Sequence, residues 1–319
     1  MMDQAIRDFA KQFKFRPKIE NGTVKKFKRF VVAGMGGSHL AGDIIKTLNP
    51  GLEIIIWPNY GLPQIDWKKT LLIASSYSGN TEEPIDSLNL AIEKNLPVAA
   101  IAIGGKLLEI AKQKSVPYIQ LPDTGIQPRC ALGFSIKAML KLMKQNDLLK
   151  ASAELSKSLK LQELEEQGKS LAARIKNHAP VIYASAGNFS VAYVWKIKFN
   201  ETGKIPAFYN VFPELNHNEI NGFDVKDASQ QLSKNLYFIF LRDQNDHEKI
   251  KRRMEVTKKL YQDRGLPVEV LEFSGDNALQ KIFSSLVLAD WTAYYTAEGY
   301  GLESEQVPMV EELKKLIAN

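Results

Sequence analysis

Short apolar segments alternate with amphipathic ones along most of the chain. Each apolar run has the length of a strand, and the segments between the runs carry apolar residues at helical spacing. Strands that alternate with helices are typical of parallel sheets with crossover helices, so the pattern predicts an α/β chain. The predicted strands are 29–34, 52–57, 70–76, 97–103, 117–121, 180–186, 205–210, 236–241 and 267–273. The helices expected in the second half lie near 189–202, 213–220, 246–264 and 276–299.

The two halves of the chain share a sequence pattern. VVAGMGGSHLAGDIIK (31–46) and VIYASAGNFSVAYVWK (181–196) both run from an apolar strand through small residues and a serine into a helix. A long charged helical segment near 152–177 precedes the second copy. The repeat predicts two αβα sandwich domains, each with a mostly parallel sheet flanked by helices, that span residues 1–150 and 151–319.

Two turns in the first half combine glycine with hydroxyl side chains. SSYSGNTEEP (75–84) follows one predicted strand, and GMGGS (34–38) follows another. In an open parallel sheet, ligands lie beyond the carboxyl ends of the strands. The first amides of a helix lack intrahelical partners and carry partial positive charge, so two such turns side by side predict a phosphate site. The residues expected to contact the phosphate are Gly37, Ser38, Ser76, Ser78 and Thr81.

An ordinary helix cap is the alternative interpretation of the hydroxyl turn. Thr81 with Glu83, or Ser78 with Glu82, would cap the following helix without any ligand. A cap explains one hydroxyl, but not three around a glycine, and not the second turn at a neighbouring strand. The second half has no counterpart of SYSGNT. The sequence therefore predicts two domains and one anion site.

The composition narrows the class of protein. No apolar run reaches the length of a transmembrane helix, and the first 15 residues lack the apolar core of a signal peptide. The single cysteine, Cys130, excludes an internal disulfide and fits the cytosol. The net charge is +6, but lysines interleave with acidic residues, and the basic run KIKRRMEV (249–256) contains no aromatic residue for base stacking. We expect a cytoplasmic protein that binds neither membrane nor nucleic acid, with a mild positive field suited to a small anion.

The familiar nucleotide and metal motifs are missing from the sequence. The dinucleotide fingerprint GxGxxG would need glycine where His39 stands, and neither Gly105-Lys106 nor Gly203-Lys204 is followed by Ser or Thr as in a Walker A loop. The chain has four histidines and no cysteine pair, so a zinc site is not expected. We expect a site that uses no cofactor and no metal.

The hydroxyl turn SxSGxT after the third strand of an αβα sandwich resembles that of the sugar isomerase (SIS) fold. Together with AGMGGS and SYSGNTEE, further segments resemble the bifunctional phosphoglucose/phosphomannose isomerase family, in the right order across the whole chain. These segments are QPRCALGFS (127–135), KFNETGKIPA (198–207), FPELNHNEINGF (212–223) and VPMVEELKKL (307–316). The arginine turn departs from the usual family form at Cys130-Ala131, although the arginine itself is kept.

The resemblance implies an isomerase that interconverts glucose 6-phosphate or mannose 6-phosphate with fructose 6-phosphate. It implies that Glu201 is the base, that His217 opens the sugar ring, that Arg129 lies near the reacting carbons and that Lys314 is a C-terminal active-site lysine. It also implies a homodimer in which the histidine comes from the partner. The chemistry makes matching demands, because an enediol route needs one carboxylate, a cation near the developing charge and an acid–base group for the ring oxygen.

Each of these four residues has a plainer interpretation. Glu201 could pair with Lys204 at a helix end, and His217 could be a satisfied polar group in a turn. Arg129 could bridge a carboxylate, and Lys314 could be a solvated residue of a terminal helix. Two other functions also stay open at this point. One is a non-catalytic sugar-phosphate sensor, although about 28 residues before the first strand are too few for the helix-turn-helix domain such proteins usually add. The other is an amino-sugar phosphate isomerase.

Overall fold

A computed structural model of the chain describes residues 2–225 and 227–317. Its strands are β1 (Arg29–Ala33), β2 (Glu53–Trp57), β3 (Thr70–Ser75), β4 (Val98–Ala102), β5 (Tyr118–Gln120), β6 (Ala179–Ser185), β7 (Phe208–Phe212), β8 (Leu236–Arg242) and β9 (Val268–Glu272). Over the described residues they form a five-stranded sheet in the order β2-β1-β3-β4-β5 and a four-stranded sheet in the order β7-β6-β8-β9. Every pair of neighbours is parallel. The predicted α/β class is therefore confirmed.

Helices connect the strands in both sheets. The α-helices are α1 (Met2–Arg7), α2 (Leu40–Leu48), α3 (Glu82–Glu93), α4 (Gly105–Gln113), α5 (Leu132–Leu142), α6 (Asn146–Ala153), α7 (Leu155–Ser158), α8 (Leu161–Arg174), α9 (Phe189–Glu201), α10 (Gln230–Ser233), α11 (Glu248–Gln262), α12 (Ala278–Gly299) and α13 (Pro308–Ile317). Short 3₁₀ turns lie at Phe9–Lys14, Gly36–Ser38, Pro128–Cys130, Ala186–Asn188, Glu214–His217 and Glu219–Phe223. Among the described helices, none is long and apolar enough to cross a bilayer.

The chain divides into two compact units, each with one sheet. The first unit is Arg7–Leu159, and the second is Lys160–Asn319 together with Met1–Ile6. This division falls nine residues beyond the boundary expected at residue 150, and it assigns the start of the chain to the second unit. Buried Met2 and Ile6 on α1 give the first helix an apolar face to pack.

In the first unit, β1 and β3 are neighbours at the centre of the sheet. They pair in register from Arg29 opposite Thr70 to Ala33 opposite Ala74. The chain leaves β1 towards β2 on one side and leaves β3 towards β4 on the other. The connections diverge between these two strands, and such a switch point is where open α/β sheets bind ligands. The turns that follow β1 and β3 are therefore adjacent.

The second unit is built around an aromatic core. Tyr183 on β6 is fully buried, and its ring stacks on Phe240 with centroids 5.4 Å apart. Stacked contacts of this kind add specific geometry to the area that the rings bury. The other buried members of this cluster are Val181, Phe212, Leu215, Phe238, Met254, Tyr261 and Leu266.

Candidate active site

The turn after β1 is fixed to the end of β3 through Ser38. The Ser75 hydroxyl donates to the Ser38 carbonyl at 2.7 Å, and the Ser38 hydroxyl accepts from the backbone amide of Tyr77 at 2.9 Å. Ser38 is buried, and it ends the 3₁₀ turn that leads into α2. These bonds bring the two glycine-serine turns together at the carboxyl ends of β1 and β3.

The hydroxyl turn after β3 is organised by Ser76. Its Oγ accepts from the amides of Gly79 at 3.1 Å and Thr81 at 3.4 Å, and it donates to the Thr81 hydroxyl at 2.9 Å. Ser76 is fully buried, whereas Ser78 is exposed and Thr81 is half-buried. The Ser78 hydroxyl accepts from the Asn80 amide at 3.2 Å. The turn therefore holds its shape through Ser76 and presents Ser78 and Thr81 at its surface.

The helix-cap interpretation of this turn does not match the structure. Thr81 is the N-cap residue of α3, but its side chain makes no capping hydrogen bond. Instead, its hydroxyl accepts from Ser76. Ser78 bonds within the turn to Asn80 rather than to the first turn of the helix. The hydroxyls of Ser78 and Thr81 therefore bond within the turn and do not cap α3.

Two glycines permit close backbone contacts at this edge. Gly79 has φ +78°, and a Cβ placed on it would lie 1.9 Å from the carbonyl oxygen of Gly104. A Cβ on Gly37 would lie 2.9 Å from the amide nitrogen of Arg129. Glycine is required where the backbone approaches another backbone this closely. Gly37 therefore lets the turn at Gly36–Ser38 pack against the turn at Pro128–Cys130.

This packing places Arg129 beside the turn at Gly36–Ser38. Arg129 lies in the 3₁₀ turn Pro128–Cys130, and its side chain is 1 % exposed. The backbone of Arg129 therefore adjoins the turn at Gly36–Ser38. In the first unit, the structure thus brings all five predicted phosphate contacts together with the predicted arginine.

A buried histidine–aspartate pair adjoins the same end of the sheet, and the sequence analysis did not predict it. His39 follows Ser38, and its Nδ1 lies 2.6 Å from Oδ2 of Asp43. Both side chains are buried. His39 is the N-cap residue of α2 and Asp43 lies in its first turn, and this i, i+4 spacing is the signal that could have revealed the pair.

Glu201 is the last residue of α9 and is half-buried. One turn earlier, the buried Lys198 pairs with Asp290 of α12 at 2.6 Å. The Lys204 ammonium donates to the Glu201 carbonyl at 2.7 Å and to the Gln306 carbonyl. These contacts fix the carboxyl end of α9, from which the Glu201 side chain projects.

His217 and Lys314 lie on two other elements of the second unit. His217 ends the turn Glu214–His217 and is exposed, and within residues 2–225 and 227–317 its imidazole has no hydrogen-bond or ion-pair partner. Lys314 on α13 is 63 % exposed and pairs with Glu311 at 2.7 Å. In this single chain, Lys314 has the surroundings of a solvated helix residue.

The corresponding edge of the second sheet contains a carboxylate instead of the hydroxyl cluster. β6 and β8 are neighbours there, as β1 and β3 are in the first sheet. The Asp246 carboxylate accepts from the Asn188 side-chain amide at 3.3 Å and from the Asp243 amide at 3.0 Å, and burial raises its pKa. The expectation of a single anion site stays a prediction.

Two parallel-sheet units, with paired glycine-serine turns at the switch point of the first, define a protein of the sugar isomerase (SIS) class. The chain resembles a solved glucosamine-6-phosphate deaminase from Thermotoga maritima with a TM-score of 0.69, at 16% identity and with 96% of each chain covered. That likeness establishes the fold. The model of the bacterial phospho-glucose isomerase C-terminal SIS domain matches residues 164–317.

The curated relatives identify the family within this class. A bifunctional phosphoglucose/phosphomannose isomerase from Aquifex aeolicus is 30% identical over 98% of this chain and 97% of its own length. One of the same name from Thermoplasma volcanium is 35% identical over 92% and 93%. The chain belongs to the bifunctional phosphoglucose/phosphomannose isomerase family. The resemblance stated from the sequence is confirmed.

Proposed function

We propose that this protein is a cytoplasmic, homodimeric phosphohexose isomerase that interconverts glucose 6-phosphate and mannose 6-phosphate with fructose 6-phosphate. The single observation that carries the proposal is the meeting of the two hydroxyl turns with Arg129 at the switch point of the first sheet. Family membership supports the same activity.

The substrate phosphate binds at the paired turns. Ser38, Ser78 and Thr81 supply hydroxyl donors, and the backbone of Gly37 allows the phosphate to approach closely. Ser76 maintains the shape of the turn through its own hydrogen bonds. Amides at the start of a helix, together with these hydroxyl donors, stabilise a dianion without a lysine in direct contact.

The reaction moves a proton between C1 and C2 of the open-chain sugar. The Glu201 carboxylate removes the proton from one carbon and returns it to the other through an enediol. Arg129 stabilises the negative charge that develops on O1 and O2, and Lys314 completes the site from α13. Glucose and mannose phosphates give the same planar enediol, so one base serves both epimers.

Hexose phosphates are mostly cyclic, so the ring must open first. Histidine exchanges protons near neutral pH and can transfer one to the ring oxygen O5. His217 has this role in the proposal, and it reaches the substrate from the partner subunit. Its exposure on the single chain supports a role outside the chain's own core.

A coupled assay tests the proposal. Wild-type protein is expected to convert fructose 6-phosphate to glucose 6-phosphate and to act on mannose 6-phosphate, with glucosamine 6-phosphate measured alongside. Glu201→Gln is expected to lower kcat by about 10²–10⁴, as for the loss of a general base, while phosphate-ligand binding is retained. Near-normal turnover by Glu201→Gln would show that the base is misassigned.

The same assay separates the rival functions. Binding of hexose phosphate without turnover of any sugar would identify a sensor. Preferential turnover of glucosamine 6-phosphate would identify an amino-sugar phosphate isomerase.

A further inference from the structure

The segment that carries His217 is held on both sides by hydrogen bonds. We call residues 214–223, which contain the two 3₁₀ turns Glu214–His217 and Glu219–Phe223, the His217 loop. Leu215 within it is fully buried in the aromatic core. The loop is therefore anchored to the sheet, although His217 itself is exposed.

Glu219 makes the main polar contacts between the loop and the sheet. The Tyr183 hydroxyl donates to Oε1 of Glu219, and the Asn210 side-chain amide donates to Oε2. Tyr183 and Asn210 are direct partners across the β6–β7 pair. Both carboxylate oxygens of Glu219 therefore bind two adjacent strands, two residues away from His217.

The two donors are themselves fixed in orientation. Desolvation by burial is the main cause that raises the pKa of Tyr183 well above its ordinary value, so the phenol stays protonated and donates throughout the neutral range. Asn210 Oδ1 accepts from the Val211 amide at 2.8 Å, which turns the NH₂ of Asn210 towards Glu219. The site at residue 219 thus presents two donors and needs a carboxylate to accept both.

Asparagines hold the positions on either side of His217. The Asn216 side-chain amide donates to the Thr257 hydroxyl on α11 at 2.9 Å. Asn218 Oδ1 accepts from the Glu219 amide at 2.5 Å, and its NH₂ donates to Glu214 at 2.8 Å. The backbone before and after His217 is therefore fixed, while the imidazole projects outwards.

We infer that Glu219 is a positioning residue that sets His217 for the ring-opening step. The inference rests on the proposed function, because it assigns a part in that reaction to a residue outside the reacting groups. Glu219 binds Tyr183 and Asn210 and acts only through the backbone of the loop. A displacement of about 1 Å in a catalytic group can cost up to about 10²-fold in rate, so a fixed loop matters most for the step that His217 performs.

A substrate without the ring oxygen separates this step from isomerisation. Fructose 6-phosphate closes its ring through O5, so 5-deoxyfructose 6-phosphate stays open and needs no ring opening. Exchange of its C1 proton with deuterium from D₂O, followed by NMR, reports the enediol step alone. His217→Ala is expected to lose turnover of fructose 6-phosphate while it retains exchange with the deoxy analogue, and so defines the signature of a ring-opening defect.

The test variant is Glu219→Gln, which keeps the size of the side chain but turns an NH₂ towards one of the two donors. It is expected to lower kcat for fructose 6-phosphate roughly 10–100-fold and to leave exchange with the deoxy analogue within about twofold of wild type. Asn210→Asp combined with Glu219→Gln reverses donor and acceptor at one contact, and it is expected to restore part of the lost turnover.

Tyr237→Phe is the matched control. The Tyr237 hydroxyl donates to Glu269 at 2.9 Å, which is another tyrosine–glutamate bond on the same sheet, and it makes no bond to the His217 loop. This control is expected to keep wild-type kinetics with both substrates, whatever its effect on thermal unfolding.

Two results would overturn the inference. One is an equal loss of activity with both substrates in Glu219→Gln, which would mean a general structural role. The other is wild-type turnover of fructose 6-phosphate by the folded variant. Failure of the proposed function would look different, because wild-type protein would then act on neither substrate.

Discussion

At the scale of single residues, the two serines of the hydroxyl turn after β3 have different tasks. Ser76 is buried and bonded to two amides and a hydroxyl, whereas Ser78 is exposed at the surface of the turn. The sequence predicted the turn and its ligand class, but it could not distinguish these tasks. The distinction depends on which hydroxyl points inwards, and the folded turn decides that.

Alanine substitutions distinguish the structural task of Ser76 from the ligand-binding task proposed for Ser78. Ser78→Ala is expected to raise KM for hexose phosphates several-fold with little change in the free energy of unfolding, because Ser78 is exposed and its hydroxyl is a proposed donor to the phosphate. Ser76→Ala is expected to lower the free energy of unfolding by about 1–3 kcal/mol and to raise KM as well, because it removes the hydrogen bonds that this buried hydroxyl makes within the turn. Denaturant unfolding and steady-state kinetics measure both effects. Equal loss of stability in the two variants would contradict this division.

Glu219 shows the limit of sequence reasoning for the second unit. His217 was identified by resemblance, but the partners of Glu219 are Tyr183, 36 positions away, and Asn210, 9 positions away. Local patterns carry no signal for such contacts. They became visible only when the β6–β7 register placed both donors side by side.

At the scale of elements, the apolar runs predicted the strands well, because strand length and β-branched content are local properties. β7 begins at Phe208 rather than near 205, since Pro206 has no amide to give to a sheet. The helix expected near 213–220 is wrong. The segment forms two 3₁₀ turns, because Asn216 and Asn218 use their side chains to bond elsewhere and compete with helical backbone bonding.

Gly79 provides a test of the close contact between the hydroxyl turn and Gly104. Gly79→Ala is expected to lower the free energy of unfolding by more than the roughly 1–2 kcal/mol that a left-handed residue costs, because its Cβ also meets a backbone oxygen. KM for hexose phosphate should rise in parallel as the turn distorts.

The matched control for this change is Gly61→Ala. Gly61 has a similar φ of +73°, but a Cβ there meets nothing within 4 Å. We expect the free energy of unfolding of this variant to fall only by the amount that a left-handed alanine costs, and its KM to stay at the wild-type value. Similar unfolding free energies for the two variants in denaturant titrations would show that the contact at Gly104 is unimportant.

At the scale of the whole molecule, the proposed homodimer shares its active sites between subunits. If Glu201 of one subunit works with His217 of its partner, a heterodimer of Glu201→Gln and His217→Ala contains one intact site and one doubly altered site. In a symmetric two-fold dimer, an equal mixture refolded together should therefore recover about a quarter of wild-type activity.

The activity of the refolded mixture shows whether Glu201 and His217 of one site come from different subunits. Each variant refolded alone is the control. The mixture could show no more activity than the separate variants although sedimentation shows that it is dimeric. That result would mean that both residues act within one chain. A monomer in sedimentation would refute the shared site altogether.

The most direct test of the account is a crystal structure of the protein with fructose 6-phosphate bound. We expect the phosphate within hydrogen-bonding distance of Ser38, Ser78 and Thr81, and a carboxylate oxygen of Glu201 about 3–3.5 Å from C1 or C2. A phosphate bound away from these turns, or a Glu201 carboxylate that cannot reach either carbon, would contradict the proposed mechanism.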